Sequence, residues 1–331
     1  MKKEKNKALV LFSGGLDSRL TIKLLQEQNL DVESVFIQLP SGGGCCNNFS
    51  CIFNFSQVQG VKLHVIDCNK GKLFKEYLDL VKNPKHGTGT AMNPCKDCKI
   101  FLFKQAKKLA KKINADIIAT GEVLGQRPMS QLKDVLLFDE KEAGLENKIL
   151  RPLSAKLLPL TDYEKNDMID RNKLLAISGR SRKIQMALAK KYKIDYPSPG
   201  GGCLLCEKEY CNKLQDLFKY NKTLKFQDIQ FLKGFRHFRA GKSKIIVGRN
   251  KAENKMLFDL KKKSDYFFEV VGIGSPITIL QGSDIKTAAA LAARYSDAKD
   301  DAVKVNYGKT KLTKSINVCK LNEKDIEKIR I

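Results

Sequence analysis

The stretch Leu9-Val10-Leu11-Phe12-Ser13-Gly14-Gly15-Leu16-Asp17-Ser18 constrains the fold more than any other part of the chain. An apolar run of strand length ends in Ser-Gly-Gly. Asp17 and Ser18 then open a segment in which Leu20, Leu24 and Leu25 make a helical stripe. A turn that feeds a helix start is a ready anion site, because free backbone N–H groups and the helix dipole face the same point. Gly14 and Gly15 permit close backbone approach and positive φ. The turn is too short for a G-x-x-x-x-G-K-[ST] phosphate loop and lacks G-x-G-x-x-G. The competing reading is a Gly-Gly turn that holds no ligand; the flanking Ser, Asp and Ser weigh against it.

The rest of the first half fits around that turn. Short buried strands are predicted at residues 8–12, 32–39, 62–67 and 115–120, with helices near 18–28, 73–82 and 99–113. In the last helix Leu102, Ala106, Leu109, Ala110 and Ile113 share a face that the lysines largely avoid. Such alternation predicts an α/β fold, a parallel sheet with helices on both faces. Ligands of these sheets bind at the carboxyl ends of the strands, where Ser13–Ser18 and Thr120-Gly121-Glu122 fall. Residues 41–60 read as a loop, 121–131 as a polar site loop, and 165–195 as a basic helical stretch carrying Arg171, Arg180, Arg182 and Lys183. From about residue 215 short strands take over. Gly234-Phe235-Arg236-His237-Phe238-Arg239 looks like a strand with exposed arginines and aromatics, a common way to hold RNA, although a structural or dimerising domain would look similar. The expected organisation is a nucleotide-binding domain over 1–165, a helical connector and cysteine loop over 166–215, and a smaller α+β domain over 216–331.

Composition narrows the function. A net charge of +25 favours a polyanionic partner, nucleic acid first, but the lysines are spread along the whole chain and do not by themselves single out RNA. No apolar run has the length of about 20 residues that a membrane span needs, and the basic N-terminus is cut short by Ser13, so a cytoplasmic protein without a membrane partner is expected. Ten cysteines are many for such a compartment and point to metal or redox chemistry rather than disulfides. They cluster as Cys45, Cys46 and Cys51, as Cys95 and Cys98, and as Cys203, Cys206 and Cys211; Cys68 and Cys319 stand alone and are expected to be ordinary buried thiols. Cys95-Lys96-Asp97-Cys98 opens the helix of residues 99–113, where the helix N-terminus and neighbouring lysines should lower a thiol's pKa. Tyr196-Pro197-Ser198-Pro199-Gly200-Gly201-Gly202-Cys203-Leu204-Leu205-Cys206 is a shaped loop with a second C-x-x-C, and the two pairs form one site only if the fold brings them together.

Taken in order, Ser13-Gly14-Gly15-Leu16-Asp17-Ser18, Asn93-Pro94-Cys95-Lys96-Asp97-Cys98, Ala115-Asp116-Ile117-Ile118-Ala119-Thr120-Gly121, Arg151-Pro152-Leu153 and Gly202-Cys203 resemble the motif series of the PP-loop ATP pyrophosphatases that thiolate tRNA, the 2-thiouridylases and 4-thiouridine synthetases. Gly-Phe-Arg-His-Phe-Arg resembles the RNA-binding domain of a ribosome-quality-control family. The resemblance implies ATP bound through Ser13, Gly14, Gly15, Asp17, Ser18 and Gly121, with Mg²⁺ between the phosphates and the protein, adenylation of a uridine oxygen of tRNA, and sulfur transfer at Cys98 and Cys203, with Asp17 counted among the catalytic residues. It implies one of two sulfur routes, a cysteine persulfide or a [4Fe–4S] cluster on Cys95, Cys98 and Cys203; the cluster is favoured, and over zinc as well, while Cys206 departs from the pattern as a fourth thiolate that would close the site. The sulfur donor is left unidentified and a homodimer left open. Glu122 departs from the family's usual His. Two other readings compete: a nucleotide- and RNA-binding protein with a structural metal and no turnover, and a PP-loop ligase acting on a small molecule.

Overall fold

The computed structural model describes residues 5–42, 49–128, 130–198 and 203–331. Cys45, Cys46, Met129 and Gly200–Gly202 lie outside the described residues. The chain divides into two compact units, Met1–Glu207 and Lys208–Ile331.

The first unit runs β1 (Lys7–Leu11), α1 (Leu16–Gln26), β2 (Asp31–Gln38), α2 (Phe49–Val58), β3 (Lys62–Asp67), α3 (Gly71–Lys82), α4 (Cys95–Ile113), β4 (Ile117–Thr120), α5 (Lys133–Glu142), α6 (Asp162–Lys165) and α7 (Lys183–Lys191). The strands pair in parallel in the order β3-β2-β1-β4. Both faces are covered, as a parallel sheet requires. Ala8 and Val10 of β1 face a core shared with Leu20 and Leu24 of α1, whereas Leu9 faces the opposite core with Phe103 and Ala106 of α4. The expected α/β fold is thus present. The chain leaves β1 toward β2 and returns on its other side as β4, so the crevice between the carboxyl ends of β1 and β4 is a topological switch point.

Two expectations change. Residues 49–58 are helical rather than loop, because Ile52 and Phe55 put an apolar face against the core that the Gly- and Cys-rich residues before them obscure. The stretch 165–195 is mostly turns and extended chain before α7; Asn166, Asp167 (φ 54°), Asp170 and Gly179 (φ 82°) favour turns over helix.

The second unit carries α8 (Lys208–Tyr220), α9 (Phe226–Gln230), β5 (Arg236–Ala240), β6 (Ser243–Val247), α10 (Lys251–Leu260), β7 (Tyr266–Glu269), β8 (Thr278–Gln281), α11 (Ile285–Arg294), β9 (Ala302–Gly308), β10 (Lys314–Cys319) and α12 (Glu323–Ile329). Its antiparallel sheet has the order β10-β9-β7-β8-β6-β5. The aromatics of Phe235–Arg239 are not exposed. Phe238 packs under the alanines of α11 and Phe235 joins Ile246 and Leu257 on the other face, because both faces of this sheet are covered. Arg239 is tied to Asp216 by bonds of 2.8 and 2.6 Å and lies over the Tyr220 ring; Arg236 lies over Tyr295. Cys68 is buried as expected, but Cys319 is exposed, since it ends the edge strand β10.

Candidate nucleotide and thiol site

The Ser13–Ser18 turn sits at the carboxyl end of β1 and starts α1. Gly14 takes φ +80°, and a Cβ there would meet Ile52 Cγ1 at 2.7 Å, so both the dihedral and α2 demand glycine. Gly15 occupies the N-cap without any side-chain cap, which leaves the first N–H groups of α1 for a ligand. The turn is braced from behind. Buried Arg19 donates from Nε to the Gly14 carbonyl (2.7 Å), from one terminal nitrogen to the Asp195 carbonyl (2.7 Å) and from the other to Cys51 Sγ (3.0 Å), while stacking over Phe55. Ser18 Oγ donates to the Gly15 carbonyl at 2.9 Å, and exposed Ser13 lies 3.4 Å from Ser18.

Gly121, at the end of β4, stands against this turn. A Cβ at Gly121 would lie 2.6 Å from the Ser18 nitrogen and 2.7 Å from the Asp17 carbonyl carbon, both backbone atoms that cannot step aside alone. Gly121 therefore acts first by close packing. Gly121→Ala is expected to destabilise the unit by about 1–3 kcal/mol through overpacking and to weaken nucleotide binding, readable by denaturant unfolding and by calorimetry with an ATP analogue.

Asp17 Oδ2 accepts from Gln126 Nε2 at 3.0 Å, whereas Oδ1 is buried without a donor among the described residues. Burial pushes its pKa up; Gln126, Arg182, Gln185 and Arg127 offset this only in part. Gln126, Gln185 and Arg182 were not apparent as partners of Asp17 from the sequence. Their convergence depends on the bridge between Leu124 and Ser178 and on α7 packing against α1.

The cysteines approach one another within the first unit. The Met92 amide donates to the Leu205 carbonyl at 3.1 Å, which pins the loop of Cys203 and Cys206 to the chain entering α4. Asn93, buried, orders the entry: its Oδ1 accepts from the Ala91 amide and its Nδ2 donates to Cys95 Sγ at 3.4 Å. The expected low pKa at Cys98 is reversed. Burial pushes the thiol up to about 12, Cys203 and Cys95 push the same way, and Lys99 and a hydrogen bond with Tyr77 do not compensate. Three thiols from two segments are a donor set suited to iron or zinc. Among the described residues, however, no three His, Cys, Asp or Glu side chains stand assembled around a metal position.

Behind α4 lies a buried ion network. Glu122 pairs with Lys99 (3.0 Å) and Arg151 (3.1 Å) and accepts from Thr120 Oγ1 (3.1 Å); Arg151 also pairs with Glu140. Burial raises the Glu122 pKa, but Lys99 and Arg151 more than reverse it, so this carboxyl is held below the ordinary range.

A glycine turn opening a helix at the β1/β4 switch point stands where open α/β sheets take their ligands. Comparison with known proteins gives partial matches to both units. Residues 6–142 match the tRNA methyl transferase HUP domain family, and residues 235–330 match the NFACT protein RNA binding domain family. The chain is 33% identical over 123 residues to the tRNA-specific 2-thiouridylase MnmA of Sulfurimonas denitrificans, covering 36% of this chain and 35% of that protein. It is 30% identical over 177 residues to the enzyme of the same name from Clostridioides difficile, covering 48% of each. The chain thus spans between a third and a half of the length of these relatives. Among solved structures, the U34-tRNA thiolase NcsA from Methanococcus maripaludis with its [4Fe-4S] cluster shows 17% identity and a TM-score of 0.36 over 70% of this chain and 72% of that chain, a likeness too loose to bear on the site. The chain is therefore similar over its first unit to the HUP domain of tRNA-modifying proteins, the 2-thiouridylases among them, and over its second unit to the NFACT RNA binding domain. Among the described residues no helix is long and apolar enough to cross a membrane.

Proposed function

We propose that this protein thiolates a uridine of tRNA at the expense of ATP. The observation that supports this most is the Met92–Leu205 bond, which gathers Cys95, Cys98 and Cys203 in the unit that also holds the Ser13–Ser18 turn. In this reading the turn and the N-terminus of α1 hold the pyrophosphate end of Mg²⁺-ATP. A uridine carbonyl oxygen attacks the α-phosphorus, the bond to the bridging oxygen breaks, and pyrophosphate leaves. The adenylated oxygen is then a good leaving group: sulfur at the sulfide oxidation level adds at the ring carbon, and AMP departs with the original oxygen. Cys95, Cys98 and Cys203 would hold a [4Fe–4S] cluster; with only these three thiolates bound, such a cluster would supply one open iron as a Lewis-acid position for sulfide, whereas Cys206 as a fourth thiolate would close it. Cys98, neutral and crowded by two further thiols, is a ligand whose deprotonation a metal cation would favour. The second unit would hold the RNA.

The test is cellular and enzymatic. In cells that lack the native copy, Cys203→Ser is expected to lower thiolated uridine in tRNA at least about 100-fold, as for removal of a group that meets the reacting atoms. Pyrophosphate release from ATP should still depend on tRNA in Cys203→Ser and vanish in Asp17→Asn. Unchanged thionucleoside content would refute the reading, and anaerobic preparations with zinc in place of iron would remove the cluster from it.

A further inference from the structure

We propose that Gln185 is a positioning residue: its side-chain amide supplies the second hydrogen bond to Asp17, so that Gln126 and Gln185 clamp the carboxylate at the mouth of the nucleotide turn. The inference deepens the ATP-binding reading above and rests on it for its role in catalysis.

The atoms make the case. Gln185 is completely buried, and among the described residues neither its Oε1 nor its Nε2 is in a formed hydrogen bond. It lies beside Asp17, close enough to favour the charged carboxylate, and Asp17 Oδ1 is itself buried without a donor. Leaving a buried donor and a buried acceptor unsatisfied costs about 1–3 kcal/mol each. Turning the Gln185 amide toward Oδ1 satisfies one of each with a single bond. The two amides arrive on segments that are themselves joined. Leu124 pairs with Ser178 in a β-bridge, and the Gly179 amide donates to the Leu124 carbonyl at 2.7 Å. Gly125 turns the chain there with φ +71°, a conformation that favours glycine. Gln126 and Gln185 thus flank Asp17 from one bridged pair of segments. The same segments bring Arg127 and Arg182, the charged groups that act on Asp17 from those sides. With both oxygens bonded, Asp17 stays ionised and fixed in direction as the first turn of α1 receives phosphate. With only one bonded, burial draws it toward the neutral acid.

The experiment reads Asp17 directly in the full chain, with or without nucleotide. Protein labelled with ¹³C-carboxyl aspartate is titrated by NMR, and the Asp17 signal is assigned by its loss in Asp17→Asn. Gln185→Leu is expected to move the Asp17 titration to higher pH by at least about half a unit, Gln126→Leu to move it the same way, and Gln185→Asn to recover part of the shift. An Asp17 titration unmoved in folded Gln185→Leu would overturn the proposal; if that variant does not fold, an unmoved titration in Gln185→Asn, whose shorter amide cannot reach as far, overturns it instead. Calorimetry with Mg²⁺-ATP on the unsubstituted protein tests the parent reading separately: absence of binding refutes that reading and leaves the NMR result to decide the clamp.

Discussion

Replacing Arg151 with methionine is expected to destabilise the first unit by about 3–5 kcal/mol, the cost of breaking a buried ion pair from one side. Arg151 is 3% exposed, and its partners Glu122 and Glu140 are equally deep. The guanidinium uses Nε on Glu122, one terminal nitrogen on Glu140 and the other on the Leu136 carbonyl at 3.4 Å. It follows directly on Leu150, which is tied to β4 through the bonds Thr120 to Leu150 and Leu150 to Ile118, both 2.9 Å. Removing the fork leaves two carboxylates without their shared cation at the end of the strand that carries Gly121. Lysine would keep the charge but lose the fork, so Arg151→Lys should fall between the two. Urea unfolding of Arg151→Met, Glu122→Gln and the double variant checks the origin of the loss: the double variant should be more stable than the sum of the single losses predicts, because no unpaired charge remains at that contact. Strict additivity would show that the pair does not couple.

That network also shows where sequence reading stops. The strands and the glycine turn were legible because each is local: apolar runs of strand length, glycines where φ turns positive, and a 3.6-residue stripe. Of the candidate residues, Gly121 was noticed for its place at a strand end, but its reason, a Cβ that would strike the Ser18 nitrogen, exists only in three dimensions. Glu122 is legible in the sequence as a strand-end residue and as a departure from a family pattern; its pairing with Lys99 and Arg151 joins positions far apart in the chain. The Cys98 expectation failed for a physical reason. A helix N-terminus lowers a thiol's pKa when the thiolate is solvated, but here burial and two neighbouring thiols win. One signal was present and unused. In residues 133–142, Leu136, Asp139 and Glu140 fall at i, i+3 and i+4, so a helix burying its Leu136 face must bury two acids with it.

Asp139 is the first of those acids, and it makes the stability of this unit fall as pH rises. Its side chain is fully buried, and neither oxygen has a hydrogen-bond partner among the described residues. Burial and the charge of Glu122 raise its pKa to about 7, with Lys99, Arg151 and Lys96 acting against them. The unfolded chain titrates near about 3.9, so between the two values the folded protein holds a proton that the unfolded one has lost. The folded-state pKa is raised; the stabilisation is therefore complete below the unfolded pKa and gone once pH passes the folded pKa. A shift of about three pKa units corresponds to about 4 kcal/mol over the whole window, of which about 1.4 kcal/mol falls between about pH 6 and pH 8.5. Asp139→Asn keeps the shape and cannot ionise. Its stability should lack this slope, so that the variant gains on the native protein by about that amount as the buffer moves from pH 6 to pH 8.5. Guanidinium unfolding at the two pH values measures the difference. Parallel losses in both proteins would mean that Asp139 is already ionised at pH 6 and that the excess acid charge is carried elsewhere in the network.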